Sequence, residues 1–158
     1  MGSSTTWGKE FSMASVGKDS IIVVDDDSLS LHAVKLLLEA GGYHVLSFND
    51  PAKALQMIRT ERVEVVLSDV RMPRMSGMEL IHAIHNLDPE MPVLLMTAYA
   101  ELEMAVDAIK QGAFDFLIKP FTPDQMYHAV NKAITYHRLI EMEKNYKTTL
   151  EDTVRIRT

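Results

Sequence analysis

The 158-residue chain predicts a doubly wound α/β fold, with five parallel strands covered by five helices. Two observations carry that expectation. First, five short, largely β-branched apolar runs alternate with five segments whose apolar residues recur every three to four positions. Such alternation builds a parallel sheet with helices on both faces. Second, chemically active residues follow four of the runs: Asp25 and Asp26, then Asp69, Thr97 and Lys119. In open parallel sheets, sites form beyond the carboxyl ends of the strands.

The first run, IIVV (21–24), leads directly into Asp25, Asp26 and Asp27. Leu31, Val34, Leu37 and Leu38 then fall at helical spacing behind a cap at Asp27 or Ser28. YHVLSF (43–48) is the second strand, and Asp50-Pro51 supplies a cap and a first-turn proline ahead of Ala54, Leu55 and Ile58. VEVVLS (63–68) ends on Asp69, and Leu80, Ile81 and Ile84 mark the third helix. PVLLMT (92–97) ends on Thr97; Met104, Ala105, Ala108 and Ile109 mark a fourth helix that stops near Gly112. FDFLI (114–118) runs into Lys119, and a fifth helix opens after Thr122-Pro123. Right-handed crossovers leave few topologies, of which the flavodoxin-like order 2-1-3-4-5 is adopted.

The fifth helix is long, running from about Asp124 past Leu150 without Gly or Pro. Leu139, Met142, Tyr146, Thr149, Thr153 and Ile156 alternate in steps of three and four, a spacing that permits a coiled-coil seam, though two threonines at the far end weaken it. The organisation expected is a flexible leader over 1–18, a globular domain over 19–136 and a helical extension over 137–158 that reads as a truncated linker. The leader has a vector-derived character, with Met13 as an alternative native start.

Bulk composition narrows the function classes. With 47% hydrophobic and 24% charged residues the chain can bury a core. A net charge of −6 argues against a broad nucleic-acid or anionic-membrane surface. The absence of cysteine excludes disulfides and thiolate chemistry and is compatible with a cytoplasmic setting. No apolar run approaches the roughly 20 residues of a membrane span. The six histidines form no metal motif; His82 and His85, one turn apart, read as a solvated helix face. The eleven methionines read as core filler.

In the proposed order the first and third strands are neighbours, so Asp25, Asp26 and Asp69 converge. Two carboxylates at about 4 Å repel by roughly 4 kcal/mol at an effective dielectric near 20. A divalent cation relieves that repulsion, and an all-oxygen donor set favours Mg²⁺, with Mn²⁺ as the alternative, over zinc. The Thr97 hydroxyl and Lys119 ammonium at the next two strand ends suit a phosphoryl group. Together these residues point to transfer of phosphate onto an aspartate, forming an acyl phosphate.

VVDDD, LSDVRMPRMSGMEL, LLMTAYA and GAFDFLIKPF, in that order over residues 19–136, closely resemble the receiver domain of two-component response regulators. The resemblance implies that Asp69 is the phosphoacceptor, served by a sensor histidine kinase or phosphotransfer protein. It implies Mg²⁺ held by Asp26 and Asp69 directly, Asp25 through water, and the backbone carbonyl of Arg71. It implies that Lys119 pairs with the phosphate, that Thr97 is the switch hydroxyl, and that Phe116 fills the aromatic switch position, where lacking a hydroxyl it must act by packing. It also implies a cis peptide at Lys119-Pro120, and a loop after the phosphoacceptor in which Gly77 supplies backbone freedom. Arg71 and Tyr99 fall where the family tunes dephosphorylation. The expected output is a conformational switch at the fourth helix, fifth strand and fifth helix, with homodimerisation there or through the extended helix. Such a protein catalyses only its own phosphorylation and dephosphorylation.

Two other readings fit the residues less well. A haloacid-dehalogenase-like phosphatase would use Asp25 as nucleophile and Asp27 beside it, but leaves Asp69 idle and finds only Asp124 after the lysine strand. A flavin-binding module would want Ser, Thr and Gly after the first strand, where three carboxylates stand.

Overall fold

Residues 21–24 are fully apolar because the strand they form is covered on both faces. In the computed structural model, which describes residues 19–157 except for the side chains of Tyr99 and 152–157, they lie in β1 (Ser20–Val24). β2 (His44–Phe48), β3 (Val65–Asp69), β4 (Val93–Ala98) and β5 (Asp115–Lys119) complete one parallel sheet in the order β2-β1-β3-β4-β5. The helices are α1 (Ser28–Ala40), α2 (Pro51–Thr60), α3 (Gly77–Leu87), α4 (Leu102–Lys110) and α5 (Pro123–Arg157). The leader over 1–18 with Met13, and the seam positions Thr153 and Ile156, lie outside the described residues and side chains.

Strand alternation splits the core into two layers. Ile21, Val23, Val65, Leu67, Leu94 and Met96 face α1 and α5, meeting Val34, Leu38, Met126, Val130 and Ile134. Ile22, Val24, Val66 and Leu95 face the other way, onto Leu80, Ile81 and Ile84 of α3 and Ala108 of α4. Burying each such side chain contributes about 1.5–3 kcal/mol, so the two layers hold the strand ends in fixed register.

Four of the helix starts are capped at the carboxyl edge of the sheet. Asp27 Oδ1 accepts from the Leu29 N–H at 3.3 Å, which makes Asp27 the α1 cap rather than a member of the pocket. Asp50 caps α2. Ser76 and Glu79 form a reciprocal capping box on α3. Thr122 and Gln125 do the same at α5.

Gly77 departs from expectation. Positive φ occurs among the described residues only at Gly42 and Gly112, so backbone freedom is not what position 77 requires. A Cβ there would lie 3.0 Å from the Asp69 carbonyl oxygen and 3.1 Å from Val70 Cα. The glycine lets α3 start against the backbone of Asp69, to whose neighbour Val70 its N–H donates at 2.8 Å.

Of the two α3 histidines, one lies on a solvated face as expected and one does not. His82 is exposed against Gln111, but His85 is half-buried and donates from Nε2 to the Met91 carbonyl at 2.9 Å, because the chain turns beneath it into β4. Met72, Met91, Met96 and Met126 are core residues, whereas Met142 is exposed on α5. α5 buries Met126, Val130, Ala133, Ile134 and His137 and is exposed from Met142 to Leu150. Leu139, Met142, Tyr146 and Leu150 are exposed apolar residues along that rod.

Candidate functional site

β1 pairs with β3 so that Val24 lies opposite Ser68, and the next residues, Asp25 just beyond β1 and Asp69 at the end of β3, stand at the same edge. Carboxylate oxygens of Asp25, Asp26 and Asp69 all lie within 4.8 Å of one another. β4 pairs with β5 so that Ala98 lies opposite Lys119, which brings the lysine to the same edge. Its Nζ lies 3.2 Å from Asp69 Oδ1 and 3.8 Å from Asp25 Oδ2. The Lys119–Pro120 peptide bond is cis.

The three carboxylates are unequally placed. Asp25 is 1% exposed, Asp69 is partly buried and Asp26 is open to solvent. Asp25 Oδ1 accepts from the Asp27 N–H at 3.0 Å, but the buried Oδ2 has no hydrogen-bond partner. At 3.8 Å the lysine is an ion-pair neighbour of Oδ2, too far to bond it. Burial pushes the Asp25 carboxyl above its usual range, and the charges of Asp69 and Asp26 add to this against the Asp27 N–H and Lys119. Burial likewise raises Asp69, assisted by Asp26 and opposed by Lys119 and the Val70 N–H.

An orphaned buried carboxylate oxygen, three converging carboxylates and a single ammonium leave two negative charges uncompensated. That donor set fits a hard divalent cation held through oxygen. A cleft beside Asp26 is lined by Asn49, Asp50, Met72, Pro73 and Arg74, and Arg74 reaches Asp50 at 3.5 Å.

The remaining sequence-selected residues surround this pocket. Thr97 is fully buried at the end of β4, and its hydroxyl donates to the Ala98 carbonyl at 3.0 Å. Phe116 is half-buried and packs with the layer that contains Met104, Ala108 and Ala113. Arg71 follows Asp69 by two residues, but its side chain turns to α4: Nε pairs with Glu101 and the terminal nitrogen lies 3.4 Å from Met104 Sδ. Asp25, the nucleophile of the phosphatase alternative, is enclosed, and that alternative finds no support.

A second charged cluster escaped the sequence reading. Glu64 Oε1 lies 3.0 Å from His137 Nδ1 and Glu64 Oε2 3.0 Å from Arg62 Nε. Glu141 closes the ring, 2.6 Å from Arg62 and 3.7 Å from His137 Nε2. This ring joins the approach to β3 to the last buried turn of α5, at the sheet edge opposite the acidic pocket. Its sequence traces were slight: an acid between Val63 and Val65, and a His–Glu pair one turn apart.

A family model described as response regulator receiver domain matches residues 21–131. The phosphoglycerate transport system transcriptional regulatory protein PgtA of Salmonella typhimurium is 38% identical over 127 residues, 80% of this chain and 31% of that protein. The transcriptional regulatory protein ZraR of Escherichia coli K12 is 41% identical over 123 residues, 78% of this chain and 28% of that protein. The chain thus spans about three tenths of the length of these relatives. A crystal structure of a response regulator receiver domain protein from Clostridium thermocellum superposes with a TM-score of 0.74 at 35% identity, covering 77% of this chain and 98% of that one.

Proposed function

The chain belongs to the response regulator receiver domain family of two-component systems, and from that premise we propose that Asp69 is its phosphoacceptor. The observation that carries this is the pairing of the partly buried Asp69 carboxylate with Lys119 beside two further carboxylates at one sheet edge. The donor is a phosphohistidine on a partner sensor kinase or phosphotransfer protein. An Asp69 oxygen forms the P–O bond while the P–N bond breaks, and its electron pair returns to the imidazole, which takes up a proton.

Asp26, Asp69, the Arg71 carbonyl and, through water, Asp25 would hold Mg²⁺ or Mn²⁺. When bound, the ion offsets charge on the phosphoryl oxygens. Lys119 exchanges its carboxylate partners for a phosphoryl oxygen. Thr97 gives up the Ala98 carbonyl for another, and Phe116 repacks against its layer to transmit the change. Arg71 and Tyr99 govern the lifetime of the acyl phosphate; the Tyr99 side chain lies outside those described. The readout face is α4–β5–α5, with homodimerisation there or along the exposed Leu139, Met142 and Tyr146 of α5. Both relatives are named transcriptional regulators, which supports control of transcription as the output in a longer protein. No described helix is long and apolar enough to cross a membrane.

The test is intact-mass measurement after incubation with Mg²⁺ and acetyl phosphate or phosphoramidate. The protein gains one phosphate, and Asp69→Asn abolishes the gain. Catalytic turnover that depends on Asp25, or labelling that survives Asp69→Asn, would overturn the assignment.

A further inference from the structure

Arg71 is placed two residues after Asp69, yet its guanidinium does not enter the acidic pocket. Its Nε is paired with the Glu101 carboxylate, and its terminal nitrogen rests 3.4 Å from Met104 Sδ. The contact spans two segments that the site must coordinate: the loop after the phosphoacceptor strand, and the turn Tyr99–Glu101 that joins β4 to α4. Glu101 is the N-cap residue of α4, but it makes no side-chain capping bond. Its carboxylate serves Arg71 instead, leaving the first turn of α4 without the stabilisation that caps give α1, α2 and α3.

We propose that Glu101 is a positioning residue that holds Arg71 away from the phosphoacceptor, and that a phosphoryl group on Asp69 competes with it for the guanidinium. The inference rests on the phosphoacceptor reading of Asp69. Phosphorylation adds a dianion with three acceptor oxygens within a short chain distance of a planar, permanently charged donor. Arg–phosphate pairing is bidentate and stronger than a single carboxylate contact made largely in solvent, where the Arg71 side chain is 66% exposed. When Arg71 turns to the phosphoryl group, Glu101 loses its partner and the start of α4 is released from the β3–α3 loop. Met104 loses the same neighbour, and it packs in the layer that holds Phe116. The ion pair is thus a strap across the β4–α4 turn, and the phosphoryl group opens it.

Linkage is reciprocal: if phosphoryl binding costs the strap, removing the strap must favour phosphoryl binding by the same factor. Beryllofluoride, which occupies a phosphoacceptor carboxylate reversibly, makes this measurable in the full chain by fluorine NMR at saturating Mg²⁺. Glu101→Gln lowers the half-saturating beryllofluoride concentration roughly two- to fivefold, the range for breaking one exposed ion pair. Glu101→Asp, which keeps the carboxylate, stays near wild type. In an Arg71→Ala background the gain from Glu101→Gln disappears, whereas a mere loss of surface negative charge would act with or without Arg71. An unchanged or raised half-saturation in Glu101→Gln, or an equal gain without Arg71, overturns the proposal. If the wild-type protein takes up no beryllofluoride, it is the phosphoacceptor assignment that fails.

Discussion

Replacing Lys119 by Met removes the ammonium while keeping most of the apolar stem. At an effective dielectric near 20, contacts of 3.2 Å and 3.8 Å correspond to about 5 and about 4 kcal/mol of gross attraction to Asp69 and Asp25. The lysine is 32% exposed, so solvent screening and its own desolvation remove most of that sum. A net loss of about 3 kcal/mol remains, because Asp25 is enclosed and would keep an unmatched charge. Urea unfolding at pH 8 in EDTA should show it as a lower midpoint with unchanged slope. Lys119 and a divalent cation compete for the same negative charge, so Mg²⁺ should stabilise Lys119→Met by about 1 kcal/mol or more beyond what it adds to wild type. Equal Mg²⁺ increments in the two proteins would refute the idea that one electrostatic deficit governs both the lysine and the metal.

Asp25 and Asp69 have folded-state pKa values raised above the ordinary carboxylate range, so their contribution to metal-free stability is present below the unfolded value and lost as pH rises through the folded one. Urea midpoints in EDTA should therefore fall across mildly acidic pH, and Asp26→Asn, which relieves repulsion on both, should flatten the decline while weakening the Mg²⁺ response. Gly77→Ala should cost about 1–3 kcal/mol and slow labelling by acetyl phosphate, because the new Cβ presses on the Asp69 carbonyl at 3.0 Å; a variant of unchanged stability and rate would contradict that close approach. His137→Ala should destabilise by about 2–3 kcal/mol by stripping a partner from the buried Glu64, and should speed amide exchange in α5 around Arg138–Glu141. Amide exchange that stays unchanged there would mean that the ring does not anchor the helix.

Strand and helix identities were legible because each element repeats its own signal over many residues. The runs at 21–24 and 92–97 are short, apolar and bounded by turn residues, as covered strands are, and Asp50-Pro51 marks a helix start by chemistry confined to two adjacent residues. The convergence of Asp25 and Asp69 was legible too, since a parallel sheet of this order must place the ends of β1 and β3 together. By itself, then, the sequence determined the element order, the acidic edge and the residues available to it.

Tertiary structure decided what those residues touch. Why position 77 must be glycine and where the Arg71 side chain points both depend on atoms that other elements bring alongside. The Arg62–Glu64–His137–Glu141 ring was invisible for the same reason, because its members meet across more than seventy residues and no local pattern records that meeting. Periodicity is a local property that a run of residues reports about itself. A hydrogen bond or an ion pair is settled by angles and tenths of an ångström, and only the packed core sets those.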